Sequence, residues 1–172
     1  MWRTFWTFIS QCVIGFVSSI VLITDETGEI TVKVLYSTKV TASGGRQGSI
    51  RSADGLLDLK LAMPQSLGGK GGATNPEQLF AGGYAACFEN AVLRVARQAG
   101  QRLADNDVHV VGEVGLSRNE ADAFVLSAAL TITIAGVEQQ TAESLVRAAD
   151  AICPYSNAIR GNVDVAMTVS VR

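Results

Sequence analysis

The thiols are the most reactive side chains of this chain, and their number and spacing limit the chemistry that they can do. Cys12, Cys87 and Cys153 are too few and too scattered for a disulfide scaffold in a chain of 172 residues. With the single histidine, His109, they do not match the ligand spacings of a zinc site, so neither a metal nor another cofactor is expected. Redox chemistry is the better interpretation, with one cysteine attacking and a second one resolving.

Cys87 lies in a stretch, Thr74 to Gln98, whose sequence predicts one long helix. Asn75 is a favourable N-cap, Pro76 fits the first helical position, and Gln78 stands where a capping box has its second partner. A buried helical cysteine is most often an inert, small apolar side chain, so this position alone leaves a catalytic and a structural role open.

The first half of this helix has no charged residue from Leu79 to Phe88, which predicts that it is buried on all faces. Gly82 and Gly83 each destabilise a helix by roughly 1 kcal/mol relative to alanine. We therefore expect another backbone to approach closely at these two glycines.

Cys153 lies where a second helix is predicted to end. The segment Glu138 to Ile152 has apolar residues at helical spacing, and Pro154 disfavours helical geometry in the residue before it. A cysteine at a helix end can change position easily, which suits a resolving thiol. Two unrelated buried thiols remain the structural alternative. The apolar positions of this helix are Leu145, Ala148, Ala149 and Ile152.

The other segments predict strands and turns around these two helices. Asp54-Gly55 is a strong hairpin signal, and three leucines after it alternate toward a core. The order βββαββαβ, with antiparallel strands and two helices, predicts an α+β domain. The three leucines are Leu57, Leu59 and Leu61, and the strands are predicted over Val32 to Ser43, twice within Gly48 to Met63, and over Val108 to Ser117, Phe124 to Ala135 and Val163 to Val171.

Glycine-rich segments form two of the loops. The turn GGRQG holds Arg46 between glycines. The segment GGKGG, over residues 68–72, has neither of the phosphate-loop spacings, so we interpret it as a connection.

The composition excludes several classes of function. An apolar content of 48% suffices for one well-cored domain, and no segment resembles a linker. The net charge is -2 and no run of basic residues occurs, so neither nucleic acid nor an anionic membrane surface is an expected partner. Small molecules and proteins remain. His109, without an acid beside it in sequence, is predicted to be a surface residue.

Residues 1–31 form an apolar extension before the domain predicted over residues 32–172. Phe5 to Ile23 carries no charge, follows Arg3 and precedes acidic residues, as in a membrane span with its N-terminus inside. A signal peptide is a second interpretation, although no A-x-A cleavage site follows. The third is a start codon assigned upstream of a native start at Val32. A membrane partner is expected only if these residues are retained.

Four stretches resemble the organic hydroperoxide resistance (Ohr) proteins, a branch of the OsmC-like superfamily of thiol peroxidases. They are KVLYSTKVTASGGRQG, DGLLDLKL, TNPEQLFAGGYAACF and ICPYSNAIRGNVDV, and the resemblance covers roughly Val32 to Val171. It implies an OsmC/Ohr-like fold, an intertwined, cytoplasmic homodimer, and reduction of organic hydroperoxides to alcohols. It also implies recycling by lipoylated proteins or another dithiol. The first 31 residues have no counterpart in the family.

The resemblance implies roles for four residues. Cys87 would be the peroxidatic thiol and Cys153 the resolving thiol. Arg46 would be the activating cation, and Glu77 the acid that orients it. Lowering a thiol pKa by about two units takes roughly 2.7 kcal/mol, which one partly desolvated guanidinium can supply.

These roles predict a site between two subunits. Glu77 and Cys87 are ten residues apart on the predicted helix, which separates them by about 15 Å along its axis. One arginine head cannot contact both, so we expect the cysteine and the glutamate of one site to come from different chains. The two helices would then cross antiparallel near Gly82 and Gly83.

Three aromatic residues of the helix, Phe80, Tyr84 and Phe88, would supply an apolar wall that favours alkyl or fatty-acid hydroperoxides. The alternative for each of them is a place in the core. Two rival functions also remain: an OsmC-type peroxidase with a different substrate preference, and a non-enzymatic module that binds an apolar ligand and has structural thiols.

Overall fold

The computed structural model of the chain describes residues 23–24, 30–31 and 34–172. Contacts divide the chain into two units, residues 1–38 and 39–172. The apolar segment predicted over residues 5–23 lies outside the described residues except at its last position, and so does the predicted start at Val32. In the first unit, β1 (Ile23–Thr24) pairs antiparallel with β2 (Ile30–Thr31). Among the described residues we find no helix with the length and hydropathy needed to cross a bilayer.

The first sheet of the second unit is an antiparallel meander of three strands. Its second turn is the predicted hairpin at Asp54 and Gly55, where Gly55 has a φ of 76° that glycine adopts without strain. Of the three alternating leucines only Leu61 is buried, whereas Leu57 is half-buried and Leu59 is exposed because it lies on a short edge strand. The strands are β3 (Val40–Ser43), β4 (Ser49–Ser52) and β5 (Asp58–Lys60).

The first strand is shorter than the prediction from Val32 to Ser43. Residues 34–39 have no strand geometry, and β3 begins at Val40. Val40 pairs with Ser52, which is the last residue of β4. The chain before Val40 therefore has no neighbouring strand among the described residues.

The long helix that carries Cys87 is confirmed as α1 (Pro76–Gln98). The side chain of Asn75 accepts a hydrogen bond of 2.9 Å from the backbone N–H of Gln78, as the cap predicts. The second half of the capping box is replaced, because the Gln78 side chain accepts a hydrogen bond from the Thr74 hydroxyl.

The prediction that the uncharged half of α1 is buried on all faces is wrong for the single chain. Gly82 and Ala86 are exposed, and Cys87 is half-buried. One face alone packs into the core. Its buried residues are Tyr84, Phe88, Ala91, Val92, Leu93 and Ala96.

The second sheet has the order β6-β7-β8 and contains both predicted long strands, β6 (Val108–Arg118) and β7 (Phe124–Ile134), as an antiparallel pair. The closing strand, β8 (Val165–Val171), is parallel to β7, where the sequence predicted antiparallel strands. The connection between them contains helices, which return the chain to the end of the sheet where β7 starts. His109 is exposed on β6, as predicted.

Two helices connect β7 to β8, where one was predicted. They are α2 (Gln139–Ile152) and α3 (Pro154–Ile159). Cys153 separates them with φ -67° and ψ 121°, an extended geometry that Pro154 imposes on the residue before it. Ala148 and Ile152 are exposed, although both were predicted on the apolar face of α2. The architecture is the predicted α+β class with this third helix added.

The core lies where α1 and α2 pack on the second sheet. The helix α1 approaches this sheet closely at Gly112 of β6, where a Cβ would lie 2.6 Å from the carbonyl oxygen of Ala81. The close backbone approach predicted for Gly82 and Gly83 is thus found at Ala81. Gly82 faces open space in the single chain, and Gly83 faces the hydroxyl of Tyr155.

Candidate active site

The structure brings together two thiols that are 66 residues apart in sequence. The Sγ atoms of Cys87, on α1, and Cys153, between α2 and α3, are 3.7 Å apart. Cys153 is fully buried and Cys87 is half-buried, and both are free thiols. A disulfide bond is about 2.05 Å long, so the sulfur atoms must approach by roughly 1.7 Å to form one.

Hydrogen bonds from α3 and from Arg160, which follows it, satisfy the C-terminal end of α2 next to Cys153. The guanidinium of Arg160 donates to the backbone oxygen of Asp150 at 2.9 Å and to its carboxylate at 3.0 Å. The side-chain amide of Asn157 donates to the carbonyl of Ala151 at 3.3 Å. Helix ends leave such carbonyls unpaired, so Asn157 and Arg160 of the CPYSNAIRGN stretch have a structural role here.

The surroundings of Cys87 within one chain act against a thiolate. Burial raises the pKa of the Cys87 thiol above its ordinary value, and the neighbouring Cys153 raises it further. The backbone N–H of Tyr155 opposes this by donating to the Cys87 sulfur. No described cation contributes to this shift, so the lowered pKa expected from Arg46 is not produced within the single chain.

Arg46 is paired with Glu77 instead. Its two terminal nitrogens donate to the two carboxylate oxygens of Glu77 at 3.1 and 2.5 Å. The guanidinium holds the pKa of Glu77 below its ordinary value. This fork-to-fork pair is the contact that the sequence resemblance implied for these residues.

Glycines fix the turn that presents Arg46. Gly44 and Gly45 have φ angles of 78° and 60°, in the left-handed region that favours glycine. A Cβ at Gly48 would lie 1.7 Å from the carbonyl oxygen of Ser43, so this position admits no side chain. The GGRQG sequence is therefore what allows the short turn that carries Arg46.

The thiol pair and the ion pair are separate on one chain. α1 is unbroken from Pro76 to Gln98, so Cys87 lies about 15 Å beyond Glu77 along its axis. Both terminal nitrogens of Arg46 donate hydrogen bonds to Glu77. A guanidinium held at Glu77 cannot also reach the Cys87 sulfur of its own chain.

The three aromatic residues predicted as a substrate wall have different positions. Tyr84 and Phe88 are buried in the core, the alternative that the sequence left open, and the Tyr84 hydroxyl is 2.9 Å from that of Ser156. Phe80 is only partly buried, with its ring 6.0 Å from the ring of Tyr155. The substrate role of Phe80 stays a prediction. Tyr155, whose backbone reaches Cys87, was missed, although it directly follows Cys153-Pro154 in sequence.

Two open grooves flank these residues. One, of about 440 Å³, lies beside Glu77. The other, of about 530 Å³, opens on Cys87 and was not predicted. The second groove is lined by Cys87, Asn90, Ala91, Arg94, Arg97, Gln98, Ile152 and Pro154. In residues 34–172 we find no cluster of side chains that could hold a metal ion.

Comparison with known proteins relates both the sequence and the fold to one family. Residues 69–168 match the family described as OsmC-like protein. An organic hydroperoxide resistance protein of Xanthomonas axonopodis pv. citri is 45% identical over 139 residues, which is 80% of this chain and 96% of that protein.

Solved structures agree with the sequence matches. A crystal structure of an organic hydroperoxide resistance protein from Legionella pneumophila is 55% identical with a TM-score of 0.77, covering 81% of this chain and all of that one. One from Vibrio cholerae, with captopril bound in one of the active sites, is 50% identical with a TM-score of 0.75 and covers 81% of this chain and 93% of that one.

Proposed function

The chain belongs to the organic hydroperoxide resistance group of the OsmC-like family, and from this membership we propose that it is a thiol peroxidase that reduces organic hydroperoxides to alcohols. One observation carries the proposal: the Sγ atoms of Cys87 and Cys153 are 3.7 Å apart. Cys87 is partly accessible and Cys153 is fully buried, which suits an attacking and a resolving thiol.

The proposed reaction begins when the Cys87 thiolate attacks one oxygen of the hydroperoxide. An S–O bond forms as the O–O bond breaks, and the leaving alkoxide takes up a proton and becomes the alcohol. Cys153 then attacks the Cys87 sulfenic acid: the S–S bond forms, the S–O bond breaks, and the hydroxyl leaves as water with the thiol proton of Cys153. The peroxide is reduced by the two electrons that the thiols lose.

We place the activating cation in a second copy of the chain. Burial raises the pKa of the Cys87 thiol in its own chain, and neither of the two thiols that the structure describes lies beside the Arg46–Glu77 pair. An antiparallel homodimer, with the two copies of α1 crossing at the exposed Gly82, would bring each pair to the other chain's Cys87. The family role of Arg46 and the uncharged, exposed face of α1 both support this arrangement.

The proposed substrate preference follows from the surroundings of the thiol. Ile152 is 42% exposed and Tyr155 is 37% exposed, and both belong to the segment that holds Cys153, so an alkyl hydroperoxide is favoured over hydrogen peroxide. A dithiol, such as a dihydrolipoyl protein, would reopen the disulfide by exchange. The dithiol donor and a cytoplasmic location rest on the family resemblance alone and stay predictions.

Peptide mapping after one equivalent of cumene hydroperoxide tests the proposal. The reduced protein is expected to give one alcohol per chain and a linked peptide pair that contains Cys87 and Cys153. Mapping is needed because Cys12 adds a third thiol to a total count. A protein that keeps both thiols and forms no alcohol would instead be a module that binds an apolar ligand.

A further inference from the structure

The groove that opens on Cys87 has two walls of different character. Asn90, Arg94 and Arg97 follow Cys87 on α1 at intervals of three, four and three residues, so they form one stripe along the helix. The opposite wall consists of Ile152 and Pro154, which are both exposed. A molecule in this groove meets polar and cationic groups on one side and apolar groups on the other.

In the single chain the two arginines of this stripe are free to bind an anion. Both are exposed, and in residues 34–172 neither of them takes part in an ion pair. Asp150 is the acidic residue nearest in sequence to Ile152, and it forms an ion pair with Arg160. A guanidinium presents a planar fork of donors that matches a carboxylate.

The spacing of the stripe sets the size of the ligand. Arg94 is seven residues beyond Cys87 and Arg97 is ten, which corresponds to about 10 to 15 Å along the helix axis. A small hydroperoxide with its peroxide group at Cys87 cannot span this distance. A long-chain acid that carries the peroxide in the middle of its chain can do so, with its apolar part on Ile152 and Pro154.

We infer that Arg94 and Arg97 select hydroperoxides of long-chain carboxylic acids by binding the carboxylate while the peroxide lies at Cys87. This inference rests on the proposed peroxidase function and adds the residues that determine its specificity. An acidic protein that delivers the dithiol would bind to the same two arginines. The apolar wall and the opening on the thiol favour the amphipathic small molecule.

The test compares kcat/KM for a long-chain fatty-acid hydroperoxide with that for its methyl ester, because the ester differs only in lacking the charge. Dithiothreitol serves as reductant, so that no protein donor is involved. The proteins are the wild type, the double variant Arg94→Gln and Arg97→Gln, and the control Arg147→Gln, which removes an exposed arginine of α2 that lies outside the groove.

The wild type is expected to prefer the acid by about ten- to a hundredfold, the range for hydrogen bonds to a charged group. The double variant should bring the ratio near one, mainly through a higher KM for the acid, whereas Arg147→Gln should keep the wild-type ratio. Equal rates for acid and ester in the wild type would overturn the inference, even if the double variant does not fold.

A second reductant, a lipoylated protein, and a second substrate, cumene hydroperoxide, separate two further outcomes. A double variant that keeps the acid-to-ester ratio but turns over slowly with a lipoylated protein would assign the arginines to the reductant, and this inference would be wrong. Cumene hydroperoxide, which has no carboxylate, is the reference substrate. If the wild type does not reduce cumene hydroperoxide, it is the proposed peroxidase function that fails.

Discussion

The guanidinium of Arg46 is joined to the carboxylate of Glu77 by two hydrogen bonds within one chain, while Cys87 lies about 15 Å farther along the same helix as Glu77. The cation and its acid thus lie away from Cys87 and Cys153, the two thiols of their own chain that the structure describes. The Cys87 thiol, in turn, has a pKa that burial and Cys153 raise. Each half of the proposed site lacks what the other half has.

Removal of Arg46 should therefore raise the thiol pKa of Cys87 in the assembled protein. With Arg46→Ala only the raising effects of burial and Cys153 and the opposing Tyr155 N–H remain, so the thiolate forms at higher pH than in the wild type. Thiolate absorbance against pH measures the shift. The peroxide reaction should become pH-dependent in the neutral to alkaline range, because thiolate is the species that attacks.

Glu77 should not titrate in that range. Its pKa is lowered by Arg46, so its carboxylate is ionised from neutral to mildly acidic pH. The stability that the pair supplies is present above the ordinary carboxyl pKa and is lost as the pH falls through the lowered value.

Arg46→Lys is the matched control for Arg46→Ala, because it keeps the charge but cannot hold both carboxylate oxygens. An Arg46→Ala titration curve that coincides with the wild type would remove Arg46 from the mechanism.

Substitution of the two cysteines should block different steps of the reaction. Cys87→Ser is expected to lower peroxide turnover by a factor on the order of 10³ or more, because the nucleophile is lost. Cys153→Ser should release one equivalent of alcohol and then accumulate sulfenic or sulfinic acid on Cys87. Mass spectrometry of the Cys87 peptide distinguishes these states. Substantial turnover by Cys87→Ser with a dithiol would show that the attacking residue lies elsewhere.

A larger side chain at Gly82 should separate the subunits. Outside its own helix backbone, a Cβ at Gly82 meets no atom of the described residues within 4 Å, so Gly82→Leu has room there and removes a helix penalty of roughly 1 kcal/mol. If two copies of α1 cross at this residue, the leucine prevents their approach. Sedimentation velocity should then show a monomer, whereas Gln140→Leu, at an exposed position of α2, should remain dimeric. A dimeric Gly82→Leu would place the crossing elsewhere.

Residues 1–31 should be dispensable for folding and activity. The predicted domain begins at Val32, and the residues matched to the OsmC-like family lie over 69–168. A chain shortened to begin at residue 32 is expected to be folded and to have the kcat/KM of the full chain for cumene hydroperoxide. Thermal unfolding by circular dichroism is the second measurement. An aggregated or inactive short chain would mean that the removed residues pack on the domain.

Local signals were sufficient to predict α1 and its cap at Asn75, the hairpin at Gly55 and the glycine-rich turn that holds Arg46, because each depends on a few neighbouring residues. The 3.7 Å approach of Cys87 to Cys153 is a tertiary contact, and no local pattern specifies it. For the same reason, the direction of β8 depends on where the two connecting helices return the chain.

Other features of the site could not be predicted because their sequence patterns fit more than one structural interpretation. The uncharged stretch of α1 was interpreted as buried in the core of one chain, but an uncharged face also suits a surface that a second chain covers. Arg94 and Arg97 lie in the charged second half of α1, and their sequence pattern is the same as that of an ordinary solvated helix end. Their relation to Cys87 became visible only with Ile152 and Pro154 across the groove.

The last prediction is that an active site forms between two chains that are each inactive. Glu77→Ala removes the partner of Arg46, and Cys87→Ser removes the nucleophile, so neither homodimer has an intact site. If each site combines Cys87 of one chain with Arg46 and Glu77 of the other, a heterodimer of the two variants contains one intact site and one site with both defects. Random exchange of equal amounts gives heterodimers as half of all dimers, with one of two sites intact, so recovery should approach about a quarter of wild-type activity. Subunit exchange must be followed independently, for example with tags of different mass. If exchange is complete and no activity returns, the site is built within one chain, and α1 must open between Glu77 and Cys87 for Arg46 to reach the thiol.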